Sequence, residues 1–301
     1  MKPEMKYFLS FDIGGTAVKY GIINSGGEIL ESSQFPTEAE KGPDVWMLKL
    51  VDKAEEYKKK YTLSGLPVSS TAMIDSINGR VFFSLPQVPA YTGFEVRKFL
   101  EEKTGLSVEV ENDVNSVAIA ESISGAGEGY ESVLSIAVGT GIGGGFTEGG
   151  KLLRGHTFSA AEVGYIKVDG GTLESMGSTT ALVKRVEKMK NASSGSYNGL
   201  RVVREAEEGD RDCLSALETM TSSIADGLVS LSYILNPAVI VLGGGIMKNE
   251  NLVDDIRRKY RSSINPLIGN ATDIVKAKYD NEAGILGAYY HFLQKHPEAL
   301  N

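Results

Sequence analysis

Short apolar runs that end in glycine recur along this chain, with helical periodicity filling the spaces between them. Leu9-Ser10-Phe11 leads into Gly14-Gly15, and residues 17–23 are β-rich with partial alternation. Asn24-Ser25-Gly26-Gly27 then reads as a turn before Glu28-Ile29-Leu30. The pattern predicts strand, glycine turn, strand, turn, strand: an antiparallel meander. Residues 134–146, with glycines at 139, 141 and 143–145, followed by Thr147-Glu148-Gly149-Gly150-Lys151-Leu152-Leu153, repeat it. An approximate internal duplication of this kind predicts two domains of like topology.

Between the meanders, residues 45–54 carry apolar side chains at helical spacing, and residues 74–81 fit a hairpin. A helix is expected over 94–103, ending near Gly105, and a strand over 107–110. Asn112 or Asp113 then caps a helix running to Glu121. A long helix is expected over 217–235, stopped by Asn236-Pro237, and a buried strand over 238–242 feeds Gly243-Gly244-Gly245. Residues 191–196 read as a surface loop. This alternation of strands and helices makes an α/β protein.

Composition narrows the classes. The 301 residues suffice for two domains, and 42% hydrophobic with 23% charged residues is the balance of a globular chain. A net charge of -8 repels polyanions, so no nucleic-acid partner is expected. Lys58-Lys59-Lys60 reads as a solvated helix face. The single cysteine, Cys213, allows no intramolecular disulfide and no thiolate zinc cluster. The N-terminus lacks the apolar core of a signal peptide, and no stretch has the apolar length of a membrane span. A cytoplasmic protein with no membrane partner is expected.

The glycine clusters at 14–15, 139–145 and 243–245 suit backbone N–H groups closing on phosphate oxygens, or tight turns alone. At the first glycine turn no helix follows Gly15, and neither GxGxxG nor GKS/GKT spacing stands there, which argues against a Rossmann or P-loop turn at that point. Asp12 is placed either to serve Mg²⁺ or to make a local turn bond. Lys19 either faces solvent or reaches phosphate. Asp113, at a strand end leading into a helix, can take a proton from an attacking hydroxyl with Asn112 beside it, or can simply cap the helix. Glu162 and Glu174 are candidate acceptors for sugar hydroxyls, or exposed glutamates. His156 reads as a loop histidine.

Taken together, these segments resemble the ROK family of sugar kinases and repressors, within the actin-like, ribonuclease H-fold ATPases. Asp12-Ile13-Gly14-Gly15-Thr16-Ala17-Val18-Lys19 looks like the first phosphate motif of that family, and Gly139-Thr140-Gly141-Ile142-Gly143-Gly144-Gly145 like its second. Glu111-Asn112-Asp113-Val114-Asn115 looks like its catalytic segment, and Leu242-Gly243-Gly244-Gly245 like its adenosine-side loop. The resemblance implies two ribonuclease H-like domains, 1–117 with 287–301 and 118–286, with ATP, Mg²⁺ and sugar in a cleft between them. It implies Asp113 as general base, sugar contacts from Asn112, Glu162 and Glu174, and a homodimer.

Departures from the family pattern sharpen the expectation. The cysteines that hold zinc in some members are missing before Glu174, and Tyr165 stands where a histidine closes their motif, so no zinc site is expected. Ser70-Thr71-Ala72-Met73-Ile74-Asp75 and Gln87-Val88-Pro89-Ala90-Tyr91 replace segments of the sugar-pocket wall, and Tyr165 joins that wall. These features, with Ser178-Thr179-Thr180-Ala181-Leu182, look like the zinc-free branch similar to bacterial β-glucoside kinases. That branch acts on the 6-hydroxyl of a glucosyl unit. The alternatives are a glucokinase- or fructokinase-type monosaccharide kinase, or a non-catalytic sugar and ATP sensor. A repressor needs a DNA-reading module ahead of Asp12, and a helix-turn-helix is not expected there.

Overall fold

The computed structural model describes residues 5–84, 88 and 90–300. Gln87 and Pro89 of the altered wall segment lie outside the described residues. The chain divides into two compact units: one comprises residues up to Ala120, Arg154–Ala160 and residues from Asn281 onward, the other Glu121–Leu153 and Ala161–Asp280.

The first unit holds strands β1 (Tyr7–Ile13), β2 (Ala17–Asn24), β3 (Ile29–Pro36), β4 (Leu63–Ser70), β5 (Met73–Asp75), β6 (Arg80–Phe83) and β7 (Val108–Asn112). Helices α1 (Pro43–Lys58) and α2 (Val96–Thr104), the start of α3 (Asp113–Ser124) and the C-terminal helix (Ala283–Lys295) complete it. Its main sheet runs β3-β2-β1-β4-β7, the first three antiparallel and the rest parallel. The hairpin expected at 74–81 is β5–β6.

Strand periodicity sorts β1 between two faces. Leu9, Phe11 and Ile13 join a core with Trp46, Met47 and Leu50 of α1. Phe8 turns the other way and meets the rings of Tyr289 and Phe292 on the C-terminal helix, while Ser10 donates to the Ile285 carbonyl at 2.7 Å. Asp12 therefore lies on the face that this helix covers. The parallel register sets Asp12 beside Ser69 and Ser70 beside Asn112, so polar groups collect at the carboxyl ends of β1, β4 and β7. In open α/β sheets that end is where ligands bind.

The second unit repeats the plan. Strands β8 (Ser132–Val138), β9 (Ile142–Glu148), β10 (Lys151–Leu152), β13 (Val239–Gly243) and β14 (Asp273–Lys276) form a sheet in the order β10-β9-β8-β13-β14. A small ribbon pairs β11 (Lys167–Val168) with β12 (Gly171–Thr172). Around them lie α4 (Leu173–Gly177), α5 (Thr179–Met189), α6 (Gly199–Glu207), α7 (Arg211–Leu235), α8 (Glu250–Ser263) and α9 (Pro266–Gly269). The core joins Leu134, Ile136 and Val138 of β8 to Met220, Ile224 and Leu228 of α7. The helix expected over 217–235 starts earlier, at Arg211, because the Asp210 side chain caps it by accepting from the Cys213 N–H at 2.9 Å. It ends at Asn236, which takes the left-handed conformation at φ 45°.

Both sheets thus pair an antiparallel meander with parallel strands in one order, the ribonuclease H-like arrangement of the actin-like ATPases. Among the described residues no helix is long and apolar enough to cross a membrane.

One close approach tests this packing. A Cβ on Gly287 of the C-terminal helix would lie 1.7 Å from the Ser116 carbonyl oxygen of α3. Backbone cannot move aside as a flexible side chain can, so Gly287→Ala should destabilise the fold by about 1–3 kcal/mol or more. A chemical-denaturation midpoint equal to that of the parent protein would contradict the contact.

Candidate active site

In the first unit, β1 and β2 meet in a tight hairpin closed by a Gly14 N–H to Ala17 carbonyl bond of 3.0 Å. The Thr37 hydroxyl donates to the Gly14 carbonyl at 2.7 Å, and the Thr37 N–H to the Thr16 carbonyl at 3.0 Å. Gly15 and Thr16 form its exposed tip, and a Cβ on Gly15 would meet nothing within 4 Å. Backbone at this tip is open to a ligand. Asp12 Oδ1 accepts from the Ser69 hydroxyl at 2.8 Å. The first turn of the C-terminal helix sits against the carboxylate, since a Cβ on Gly284 would lie 2.4 Å from its Cγ. Loss of water pushes the pKa of Asp12 up, opposed by the Ser69 hydroxyl and by Lys19, its cross-strand neighbour. The Lys19 ammonium donates to Asn281 Oδ1 at 3.2 Å.

The junction of β7 and α3 presents the second carboxylate. Asn112 caps the helix, its Oδ1 accepting from the Asn115 N–H at 3.0 Å. Its amide nitrogen donates to Asp113 Oδ1 at 2.8 Å and to the Ala72 carbonyl at 2.9 Å. Ala72 has φ 119°, a region that favours glycine, so the carbonyl that steadies Asn112 stands in a strained peptide. Asp113 Oδ1 also accepts from the Val114 N–H at 2.9 Å. Burial, followed by the negative charge of Asp12, pushes the Asp113 carboxyl up to about 7. A carboxyl group that ionises near neutrality at a strand end can accept a proton from a hydroxyl.

In the second unit, the turn Gly139-Thr140-Gly141 joins β8 to β9 and closes with a Gly139 N–H to Gly141 carbonyl bond of 2.9 Å. The Gly139 carbonyl accepts from the Thr179 N–H at the start of α5, also at 2.9 Å. Glu174, in the first turn of α4, accepts from the Ile142 N–H through Oε2 at 3.1 Å. That oxygen would lie 2.3 Å from a Cβ on Gly141, so glycine there admits the glutamate. Partial loss of water and the charge of Glu174 raise the pKa of Glu162. Tyr165 closes a short helical turn after Glu162 and is 68% exposed.

A cavity of about 680 Å³ opens in this unit beside the turn. Gly139 and Thr140 line it with Thr179 and Lys184 of α5, Tyr197, and Ile246 after β13. A volume of about 300–1,000 Å³ is usual for a small-molecule site. Gly243 and Gly244 line a smaller neighbouring cavity of about 290 Å³ with Lys248, Lys276 and Lys278, whereas Gly245 borders the larger one.

A family model described as the ROK family matches residues 8–295. The chain belongs to the ROK family. It is 29% identical to a β-glucoside kinase of Listeria monocytogenes, over 95% of this chain and 97% of that one. A ROK hexokinase from Thermus thermophilus superposes with a TM-score of 0.83 at 28% identity, covering 97% of this chain and 99% of the other. A ROK glucokinase from Streptomyces griseus, solved with glucose and AMPPNP, gives 0.78 at 25% identity, covering 94% and 97%.

Within the ROK match, the first unit brings together Asp12, Lys19, Asn112 and Asp113. The second brings together Gly139, Thr140, Gly141, Glu162 and Glu174. Sequence reasoning missed the α5 and Tyr197 walls of the large cavity. The surface loop expected at 191–196 is present, and its Ser194 and Gly195 line the cavity too. The run Ser178-Thr179-Thr180 was the available signal, since Ser178 caps α5 by accepting from the Ala181 N–H at 3.1 Å and sets Thr179 at the mouth. Elsewhere Glu205, Asp210 and Cys213 bring possible ligand atoms within 4.8 Å of one another. Lys190 already pairs with Asp210 at 2.5 Å and Arg201 with Glu205 at 2.7 Å, which marks an ion-pair cluster.

Gly244 supplies a direct test of the second site. At φ 105° a Cβ there would lie 2.0 Å from the carbonyl oxygen of Val138, a residue of the cavity wall. Gly244→Ala should weaken binding of an adenine nucleotide at least about tenfold by displacing that wall, an effect of about 1.4 kcal/mol. Isothermal titration with AMPPNP reads it, and unchanged affinity would rule out a nucleotide-binding role for Gly244.

Proposed function

We propose that this chain transfers the terminal phosphoryl group of ATP to a hydroxyl of a glucosyl unit, the 6-hydroxyl of a β-glucoside in the reading its motifs favour. The coarser activity, ATP-dependent carbohydrate kinase, is that of the ROK kinases with which it shares fold and length. The observation that carries the proposal is Asp113, a carboxyl raised to about 7 and held at the end of β7 by Asn112.

In this reading ATP is the second substrate. The large cavity suits its adenosine end in volume and lining, and the exposed Gly15–Thr16 tip and the Gly139–Gly141 turn offer backbone N–H groups to phosphate oxygens. Asp12 would fit a magnesium role as a carboxylate near the end of β1, with one oxygen held by the Ser69 hydroxyl at 2.8 Å. Bound Mg²⁺ neutralises charge on the phosphates. Asn112 orients Asp113, and Asp113 takes the hydroxyl proton as the sugar oxygen bonds to phosphorus and ADP leaves. Glu162 and Glu174 accept hydrogen bonds from sugar hydroxyls. Most of the acceleration comes from such positioning. The homodimer implied by the family belongs to the same proposal.

A second reading, a kinase for free monosaccharides, is favoured by relatives named glucokinase, one from Thermotoga maritima being 29% identical over 95% of this chain. The two separate on a sugar panel, with ADP release measured for glucose, fructose, mannose, N-acetylmannosamine, cellobiose and gentiobiose. Disaccharides turned over well above glucose support the β-glucoside reading, and a monosaccharide preference discards it. ATP binding without turnover on any of them would make the protein a sensor.

Asp113→Asn should reduce turnover by at least about 100-fold while largely keeping sugar binding. Only ionised Asp113 can accept a proton, so kcat/KM of the parent should fall as pH drops through about 7. The sign for stability is opposite. A folded pKa above the unfolded value near 3.9 favours the folded state at low pH, and that contribution is lost as pH rises through about 7. Asp113→Asn should therefore melt above the parent at pH 8. A variant that turned over normally would remove Asp113 from the base role.

A further inference from the structure

The end of β7 has a second support, and it comes from a distant part of the chain. Arg154 begins the strap Arg154–Ala160, which packs in the first unit although the residues on both sides of it belong to the second. Its Nε donates to Glu111 Oε2 at 2.9 Å and to the Ser76 hydroxyl at 3.0 Å. A terminal guanidinium nitrogen lies 3.3 Å from His291 Nδ1. His291 is fully buried, and burial followed by the Arg154 charge pushes its pKa down to about 3. The ring is therefore neutral, with Nδ1 as the acceptor for Arg154.

Glu111 is 1% exposed and lies one residue before Asn112. Its second oxygen accepts from the Asn112 N–H at 2.9 Å and from the Asn115 side-chain amide at 3.2 Å. A connected path thus runs from Arg154 through Glu111 to the Asn112 peptide, and from the Asn112 side chain to Asp113 Oδ1. Ser76 ties the same arginine to the β5–β6 hairpin, which follows the Ala72 carbonyl that also accepts from Asn112. The strap is strained as well as anchored, with φ 58° at Phe158, whose ring meets Phe82 at 5.9 Å between centroids.

We propose that Arg154 is a positioning residue for the catalytic base, holding Glu111 as the anchor that aims Asn112 and Asp113. This rests on the kinase reading above. A buried carboxylate stripped of its cation turns toward water or takes up a proton. Either response disturbs the oxygen that grips the Asn112 N–H. Displacements of about an ångström in a reacting group can lower a rate about 100-fold. The nucleotide cavity lies in the other unit and shares no residue with this path.

The experiment compares the parent with Arg154→Gln, Arg154→Lys and the double variant Arg154→Gln/Glu111→Gln on the best sugar of the panel. Arg154→Gln should lose roughly 10- to 100-fold in kcat while KM for ATP stays within about twofold. Arg154→Lys, which keeps the charge, should recover part of kcat, and so should the double variant, which leaves no unpaired buried charge. Hydrogen–deuterium exchange should show faster exchange in Arg154→Gln at residues 111–116, with β1 and β2 unchanged. Unchanged kcat in Arg154→Gln would overturn the proposal. So would a loss that neither second variant relieves and that spreads over the whole first unit in exchange. If the parent turns over no sugar at all, the kinase reading fails on its own, and the exchange pattern still decides whether Arg154 holds the junction.

Discussion

Carboxylates that lose water must be paired, hydrogen-bonded or protonated, and this constraint shapes the end of the first sheet. Three of them, Asp12, Glu111 and Asp113, stand at or just past the carboxyl ends of β1 and β7, and each is answered differently. Glu111 takes Arg154 as its cation. Asp12 takes the Ser69 hydroxyl on the neighbouring strand and faces the first turn of the C-terminal helix. Asp113 takes the Val114 N–H and the Asn112 amide, and its pKa, like that of Asp12, is raised. Burial and the charge of Asp12 leave Asp113 ionising near neutral pH, the range in which perturbed carboxyls are found at functional sites.

Steric constraint shapes the second unit in a comparable way. Glycine at 141 admits the Glu174 carboxylate, and glycine at 244 passes close to the Val138 carbonyl in a conformation other residues avoid. The Gly244 approach to Val138 lies beside the large cavity, which α5 and the loop before α6 also line. The same sheet order therefore serves two tasks. One copy presents acids at its strand ends, and the other presents a pocket and glycine backbone.

The meanders were legible from alternation and glycine turns, and so were α1, the β5–β6 hairpin and the long helix α7. The capping segment Glu111-Asn112-Asp113 was legible as chemistry because a strand end and a helix start coincide there. There Asn112 Oδ1 caps α3, and the neighbouring Asp113 carboxyl is raised to about 7.

What the sequence determined by itself is the local part: the periodicity that makes each strand and helix, the glycines that permit each turn, and the motifs that place this chain among the ROK proteins. The tertiary structure alone decided which distant groups answer which charge. Arg154 reaches Glu111 from 43 residues away, and Gly284 brings a helix against Asp12. Ser194 and Gly195 became a cavity wall in the same manner. Those pairings depend on sheet register and helix packing, which short-range pattern does not encode.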